Sequence, residues 1–235
     1  MKRALLDALI AAHADNRPAV LATDLDGGEQ YLLDDPCPPG MDPELHREAL
    51  ARAARGKSGV ASRGERQLFV HVLSPRPRLV IVGAVHIAQG LAQMAMMHDY
   101  EVVIVDPRKG FASPERFAGV RLVTEWPDRA LQELKLDGRT AVVTLTHEPK
   151  LDDPALTRAL ASEAFFVGAL GSTRTQHKRL ERLRQHGLEE AALARIRGPV
   201  GLPLGSITPA EIATSIMAEI VQWRRRGPQP ARAPA

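Results

Sequence analysis

Cysteine is almost missing from this sequence: Cys37, inside Pro36-Cys37-Pro38-Pro39-Gly40, is the only one among 235 residues. One thiol excludes an intrachain disulfide and a cysteine-built metal site. Such poverty fits a reducing compartment. Aromatic side chains are also scarce, at 4%. The core must then be made of Ala, Val, Leu and Ile, which suits helices packed on a buried parallel sheet. Nor are aromatics interleaved with the basic residues, as in proteins that grip single-stranded nucleic acid. No nucleic-acid partner is expected. No apolar run reaches the length of a membrane span. The start, Met1-Lys2-Arg3, is basic, but Asp7, His13, Asp15 and Asn16 interrupt the apolar stretch behind it, which argues against a signal peptide. A cytoplasmic protein with no membrane partner is the expectation.

Hydrophobic residues at 44% and charged residues at 25% are the values of an ordinary globular chain. The formal net charge is +3. Basic residues gather at Arg174, Lys178, Arg179, Arg182 and Arg184, and again at Arg224, Arg225 and Arg226. Cations near a helix C-terminus complement its dipole, which is the plainer account of both clusters. The same clusters can attract phosphates or an acidic partner.

Residues 1–75 read as a small α+β domain. It has a helix over 2–12, strands near Ala19–Thr23 and Gln30–Leu33, a helix opened by Asp42-Pro43-Glu44 and running to about Arg55, and strands at Ser58–Ser62 and Gln67–Leu73. Ser74-Pro75-Arg76-Pro77 cannot continue a strand ladder and marks the boundary. Residues 77–226 alternate strand and helix. Short apolar strands fall at Leu79–Val82, Val102–Val105, Val120–Val123, Ala141–Leu145 and Phe165–Val167. Helices fall at His86–His98, Asp128–Leu134, Pro154–Ser162, Thr173–His186 and Thr208–Arg226. This alternation predicts an α/β fold with a Rossmann-like, doubly wound parallel sheet. The Pro- and Ala-rich stretch 227–235 reads as a disordered tail.

Four segments carry candidate chemistry. The turn Gly83-Ala84-Val85-His86-Ile87-Ala88 follows a strand and opens a helix. It places Gly83 and Ala88 at the outer positions of a dinucleotide fingerprint, with Val85 where a glycine would let a pyrophosphate approach. Asp106 ends the next strand, where a ribose-binding acid would stand; a turn residue before Pro107 is the equal alternative. Thr146-His147-Glu148 lies beyond the carboxyl end of the fourth strand, the edge where open sheets bind ligands. His147 can act there as acid, base or ligand, or serve structure only. Gly168-Ala169-Leu170-Gly171-Ser172-Thr173-Arg174 joins the fifth strand to a helix. Its free N–H groups and Arg174 would form an anion site, while Ser172 is also a natural N-cap. Gly198 to Ser206, with Gly201 at its centre, is a rigid glycine- and proline-rich loop. Met94, Met96 and Met97 read as packing residues.

Together with Pro199-Val200-Gly201-Leu202 and the run Thr208-Pro209-Ala210-Glu211-Ile212-Ala213, these segments resemble the XdhC family of xanthine dehydrogenase accessory proteins, over roughly residues 78–225. The resemblance implies a Rossmann-like domain that binds molybdenum cofactor (molybdopterin) transiently, and a chaperone, not a turnover enzyme. It implies help with sulfuration of that cofactor and its insertion into a molybdenum hydroxylase such as xanthine dehydrogenase. Gly83, His86, Asp106, Thr146, His147, Gly168, Gly171, Ser172, Arg174 and Gly201 are the implied cofactor-binding residues. No catalytic residue and no metal ligand is expected. The sequence departs from the family at Val85 and at Glu148, where the family has Gly and Asp. It also lacks the family's N-terminal Gly-Ser-x-Pro-Arg and Cys-Gly-Gly segments. With Cys37 alone, a separate sulfur donor is expected. The rival reading is an NAD- or NADP-dependent oxidoreductase, supported by Gly83, Ala88 and Asp106 and opposed by Val85. A scaffold that keeps only the fold is a third. Ile212, Ile216 and Ile220 face either the core or the second subunit of a homodimer.

Overall fold

The structure is a computed structural model, and it describes residues 2–15, 17–33, 36–54 and 56–227. The chain divides into two compact units, Met1–Arg76 and Pro77 onward.

The first unit contains α1 (Arg3–Ala14), β1 (Ala19–Asp24), β2 (Gln30–Leu32), α2 (Pro43–Ala54), β3 (Gly59–Arg63) and β4 (Arg66–Leu73). The strands form an antiparallel sheet in the order β2-β1-β4-β3. The Asp42 carboxylate accepts hydrogen bonds from the Glu44 and Leu45 N–H groups and so starts α2. The expected end of that helix, Arg55, lies outside the described residues. Leu45 and Ala49 of α2 are buried in one cluster with Ala22, Ala61, Leu68 and Val70 of the sheet. Alternate residues of β4, Phe69 among them, stay exposed, as expected of a sheet with one covered face.

The second unit runs β5 (Arg78–Val82), α3 (His86–Met97), β6 (Glu101–Val105), β7 (Arg121–Val123), α4 (Pro127–Glu133), β8 (Thr140–Thr144), α5 (Pro149–Leu160), β9 (Phe166–Ala169), α6 (Thr173–Gln185), α7 (Glu190–Leu193), β10 (Ile196–Arg197) and α8 (Pro209–Arg226). Its strands are all parallel, in the order β10-β9-β8-β5-β6-β7. This is the doubly wound parallel sheet expected from the alternation. Successive β5 residues serve opposite faces. Leu79 and Ile81 join the core that α3 and α8 cover, whereas Val80 and Val82 join the core under α4, α5 and α6. Strands buried on both faces must be apolar throughout, which is why they read as short runs of Val and Ile.

Several boundaries differ from expectation. Helix α5 starts at Pro149, its first helical position, and carries Pro154 inside it. Both prolines suit a helix start, and the earlier one is used in place of the expected Pro154. The short pieces α7 and β10 give no periodic signal long enough to detect and are absent from the expected elements. Met94 and Met96 pack against the core as expected, but Met97 is 78% exposed. On α8, Ile216 and Ile220 are wholly buried and Ile212 partly so, in the core shared with α3. That face is therefore unavailable to a second subunit. The expected disorder of the tail lies, from residue 228, outside the described residues; Gly227, with φ 75°, ends α8.

Candidate functional site

The connections from β5 and β8 leave in opposite directions, so the crevice of the fold lies between their carboxyl ends. Gly83 follows β5 with φ 112°, and a Cβ there would lie 2.7 Å from the Thr146 side chain. Its glycine is thus required by the close approach of the β8 loop as well as by the turn. Val85 is the N-cap of α3 at φ −85°, an ordinary extended conformation that a β-branched residue adopts without strain. His86 is exposed at the start of that helix.

Asp106 is fully buried. Its Oδ2 accepts from the Ala84 N–H at 2.9 Å and from Arg108 Nη2 at 2.7 Å, and its Oδ1 accepts from Arg108 Nε at 2.8 Å. Burial would raise its pKa, but the Arg108 guanidinium and the Ala84 N–H outweigh burial and hold it below the ordinary carboxylate range. Arg108 also donates to Glu148 across the crevice and lies over the Phe111 ring. The carboxylate placed by the sequence at a ribose is thereby engaged within the protein. It fixes the Gly83 turn and anchors Arg108.

A second concave site lies one strand over, at the carboxyl ends of β8 and β9. This cavity of ≈ 270 Å³ is lined by His147, Pro149, Asp152, Arg174, Thr175, Lys178, Arg179 and Arg182. Two helix starts face it. Glu148 is the N-cap residue of α5, and Ser172 caps α6, its hydroxyl accepting from the Thr175 N–H at 3.2 Å. His147 takes φ 60°, a conformation uncommon outside glycine, and is exposed at the rim. Arg174 and Lys178 are exposed, whereas Arg179 is buried. Arg179 donates to Gln176 Oε1 at 2.6 Å and to the Leu170 carbonyl at 2.7 Å. Burial lowers the pKa of its guanidinium, and the nearby Asp152 and Asp153 only partly offset this. Arg182 is held to Asp153 through two bonds, Nε to Oδ2 at 2.7 Å and Nη2 to Oδ1 at 3.0 Å. Asp152, buried beside Thr146, has a raised pKa: burial outweighs the Thr146 hydroxyl and the charge of Arg179.

Of the residues singled out in the sequence, His147 and Arg174 line this cavity, with Ser172 and Thr146 beside its lining groups. Gly83, His86 and Asp106 belong to the neighbouring β5–β6 edge. The other glycines are accounted for by protein neighbours. A Cβ on Gly168 would lie 2.6 Å from Val200, one on Gly171 would lie 3.1 Å from Thr175, and one on Gly201 would lie 2.4 Å from the Ser215 hydroxyl. Gly201 is further tied to α8 by the bond from its N–H to Glu219 Oε2 at 2.6 Å. Lys178, Arg179 and Arg182 belong to the basic cluster that the sequence offers both as a dipole complement and as an attractor of phosphate, whereas Asp152 and Thr175 are site residues it does not single out. The available signal is the spacing of Arg174, Lys178 and Arg182 at successive steps of four, one face of a helix.

Known proteins place this architecture. Residues 79–220 match the family described as the XdhC Rossmann domain. The chain is 31% identical over 188 residues to the uncharacterized protein YqeB of Escherichia coli K12, covering 79% of this chain and 34% of that protein. It is 28% identical to a probable xanthine dehydrogenase subunit of Bacillus subtilis, covering 68% of this chain and 46% of that protein. It is 30% identical to the molybdenum cofactor insertion chaperone PaoD of E. coli K12, covering 64% of this chain and 41% of that protein. The chain thus spans less than half the length of these relatives. A crystal structure described as that of a xanthine dehydrogenase from Bacillus halodurans superposes with a TM-score of 0.75, at 23% identity, over 95% of this chain and 67% of that one, and shares the fold.

Proposed function

The chain belongs to the XdhC family, and from that premise we propose that it is a maturation factor for a molybdenum hydroxylase such as xanthine dehydrogenase. It binds molybdenum cofactor by its phosphate and assists its sulfuration and insertion, with sulfur supplied by a separate donor. The observation that carries this reading is the cationic cavity between α5 and α6. Its donors fit a phosphate: Arg174 and Lys178 are free to reach one, and Arg182 is already aimed by Asp153. The volume, ≈ 270 Å³, suits the phosphate end of the cofactor better than the whole pterin. The redox and sulfur chemistry stays with the molybdenum group; the residues of this chain bind and orient. A relative named as a molybdenum cofactor insertion chaperone supports the same reading.

The dinucleotide alternative is weaker. Val85 stands at the pyrophosphate approach, Asp106 is engaged by Arg108 and Ala84, and Arg108 bridges the crevice to Glu148.

Protein purified from a host that makes the cofactor should carry pterin and molybdenum, and should carry neither from a host that does not. In direct titration, Arg174→Ala and Lys178→Ala should each weaken cofactor binding about tenfold to a hundredfold, the worth of a charged hydrogen bond. Both side chains are exposed, so stability should change by no more than about 0.5 kcal/mol. Full cofactor affinity in both variants would move the phosphate elsewhere.

A further inference from the structure

Asp152 and Asp153 are consecutive buried acids with opposite surroundings. Both oxygens of Asp153 are gripped by Arg182. Asp152 makes no ion pair among the described residues, although it lines a cavity with four cationic side chains. Its Oδ1 accepts from the Thr146 hydroxyl at 2.6 Å and from the Thr146 N–H at 3.4 Å. No hydrogen bond among the described residues reaches its Oδ2. The buried cation of the cavity is no partner for it, because Arg179 directs both terminal nitrogens to Gln176 and Leu170 and leaves its Nε unpaired. The cavity therefore contains one carboxylate that is neither neutralised by an ion pair nor exposed to solvent, at 2% exposure.

An oxyanion entering beside Arg174, Lys178 and Arg182 meets that carboxylate as a like charge. If Asp152 is a carboxylic acid instead, the repulsion vanishes and its O–H becomes a donor. We propose that Asp152 takes up one proton when the cavity receives a tetrahedral oxyanion, so that the site binds anion and proton together and selects ligands able to accept a hydrogen bond from an acid. The step balances simply: one solvent proton joins the carboxylate, and no bond in the anion is made or broken. Burial already favours the neutral form, against the smaller opposing pull of Thr146 and Arg179. The other groups facing Asp152 are His147 from the β8–α5 turn, Arg174, Lys178, Arg179 and Arg182 from α6, and Asp153 on its own helix. His147 is an exposed imidazole lining the same cavity, so a variant separates its contribution from that of Asp152.

The inference rests on reading this cavity as the phosphate site. The probe is sulfate, which keeps both its charges from about pH 5.5 to 8.5, so that pH dependence comes from the protein. Calorimetric titration of the full chain in buffers of different ionisation enthalpy should show close to one proton taken up per sulfate at the alkaline end. Affinity should rise by up to about tenfold per pH unit as pH falls, and then level off. Asp152→Asn keeps an oxygen for Thr146 and supplies a permanent donor. It should bind sulfate at the alkaline end at least as tightly as the parent protein does at the acid end, with the proton uptake gone. His147→Gln should retain the uptake. Sulfate binding with no proton uptake, or uptake that survives Asp152→Asn and disappears in His147→Gln, overturns the role of Asp152 and leaves the anion site standing. Absence of sulfate binding at any pH overturns both.

Discussion

Asp106 shows how one side chain can be legible in position and illegible in role. A carboxylate at the end of the second strand of a Rossmann unit suggests a ribose partner. Spacing alone does not reveal that Arg108, two residues on, folds back and takes both of its oxygens. The depressed pKa gives this pairing a sign. A group whose folded pKa lies below its unfolded value stabilises the protein above the unfolded value, and that stability disappears as pH falls through the folded one. Asp106→Asn should therefore lose about 2–3 kcal/mol at neutral pH, below the full cost of an orphaned buried charge because Arg108 keeps Glu148. The deficit against the parent protein should shrink as pH drops below the ordinary carboxylate range. Denaturant unfolding at a series of pH values checks this, and an acid-independent deficit would mean that packing, not charge, holds the turn. The glycines teach a related lesson. Gly168, Gly171 and Gly201 stand among the cofactor-binding residues that the resemblance implies, yet the space beside each is filled by Val200, Thr175 and Ser215. A sequence shows that a Cβ is absent without showing what occupies its place.

Helices are legible where a cap and a period agree. Helix α8 carries a full capping box, Thr208 with Glu211, and its start is readable to within one residue. Helix α5 has no such agreement, because in the sequence Pro149 and Pro154 each read as a first helical position, and the structure uses Pro149 and carries Pro154 inside the helix. That shift places Asp152 inside a helix and against Thr146, so the misread boundary hides the acid of the cavity. Helix α6 is bounded well by its sequence, but its cations read as a solvated dipole complement. Their four-residue spacing gives a face, and only the position of α5 decides that the face lines a cavity. Ser172 divides the remaining roles. Its hydroxyl is bound to the Thr175 N–H, as a cap requires. Ser172→Ala should lower thermal stability by about 1 kcal/mol while sulfate affinity stays unchanged. A loss of affinity without a loss of stability would return Ser172 to the ligand.

At the scale of the molecule, the parallel sheet and its two covered faces follow from alternating periodicity, while the crossing at β5 and β8 is supplied by the strand order of the structure. A strand buried on both faces leaves no polar option, and the connection rules leave few topologies. A candidate anion site one strand away from the usual crevice is legible in the Arg174 segment after the fifth strand, whereas the meeting of Arg108 and Glu148 across the crevice itself is not, since it joins side chains from the loops after β6 and β8. The same strand order sets a clock. Each backbone N–H of a strand exchanges with water only when its hydrogen bond to the adjoining strand opens and water reaches it, and β5 and β8 are flanked on both sides and wholly buried along nearly all their length. Their amides should carry the deuterium-exchange protection of global unfolding. The edge strands β7 and β10, three and two residues long, should exchange sooner through local opening.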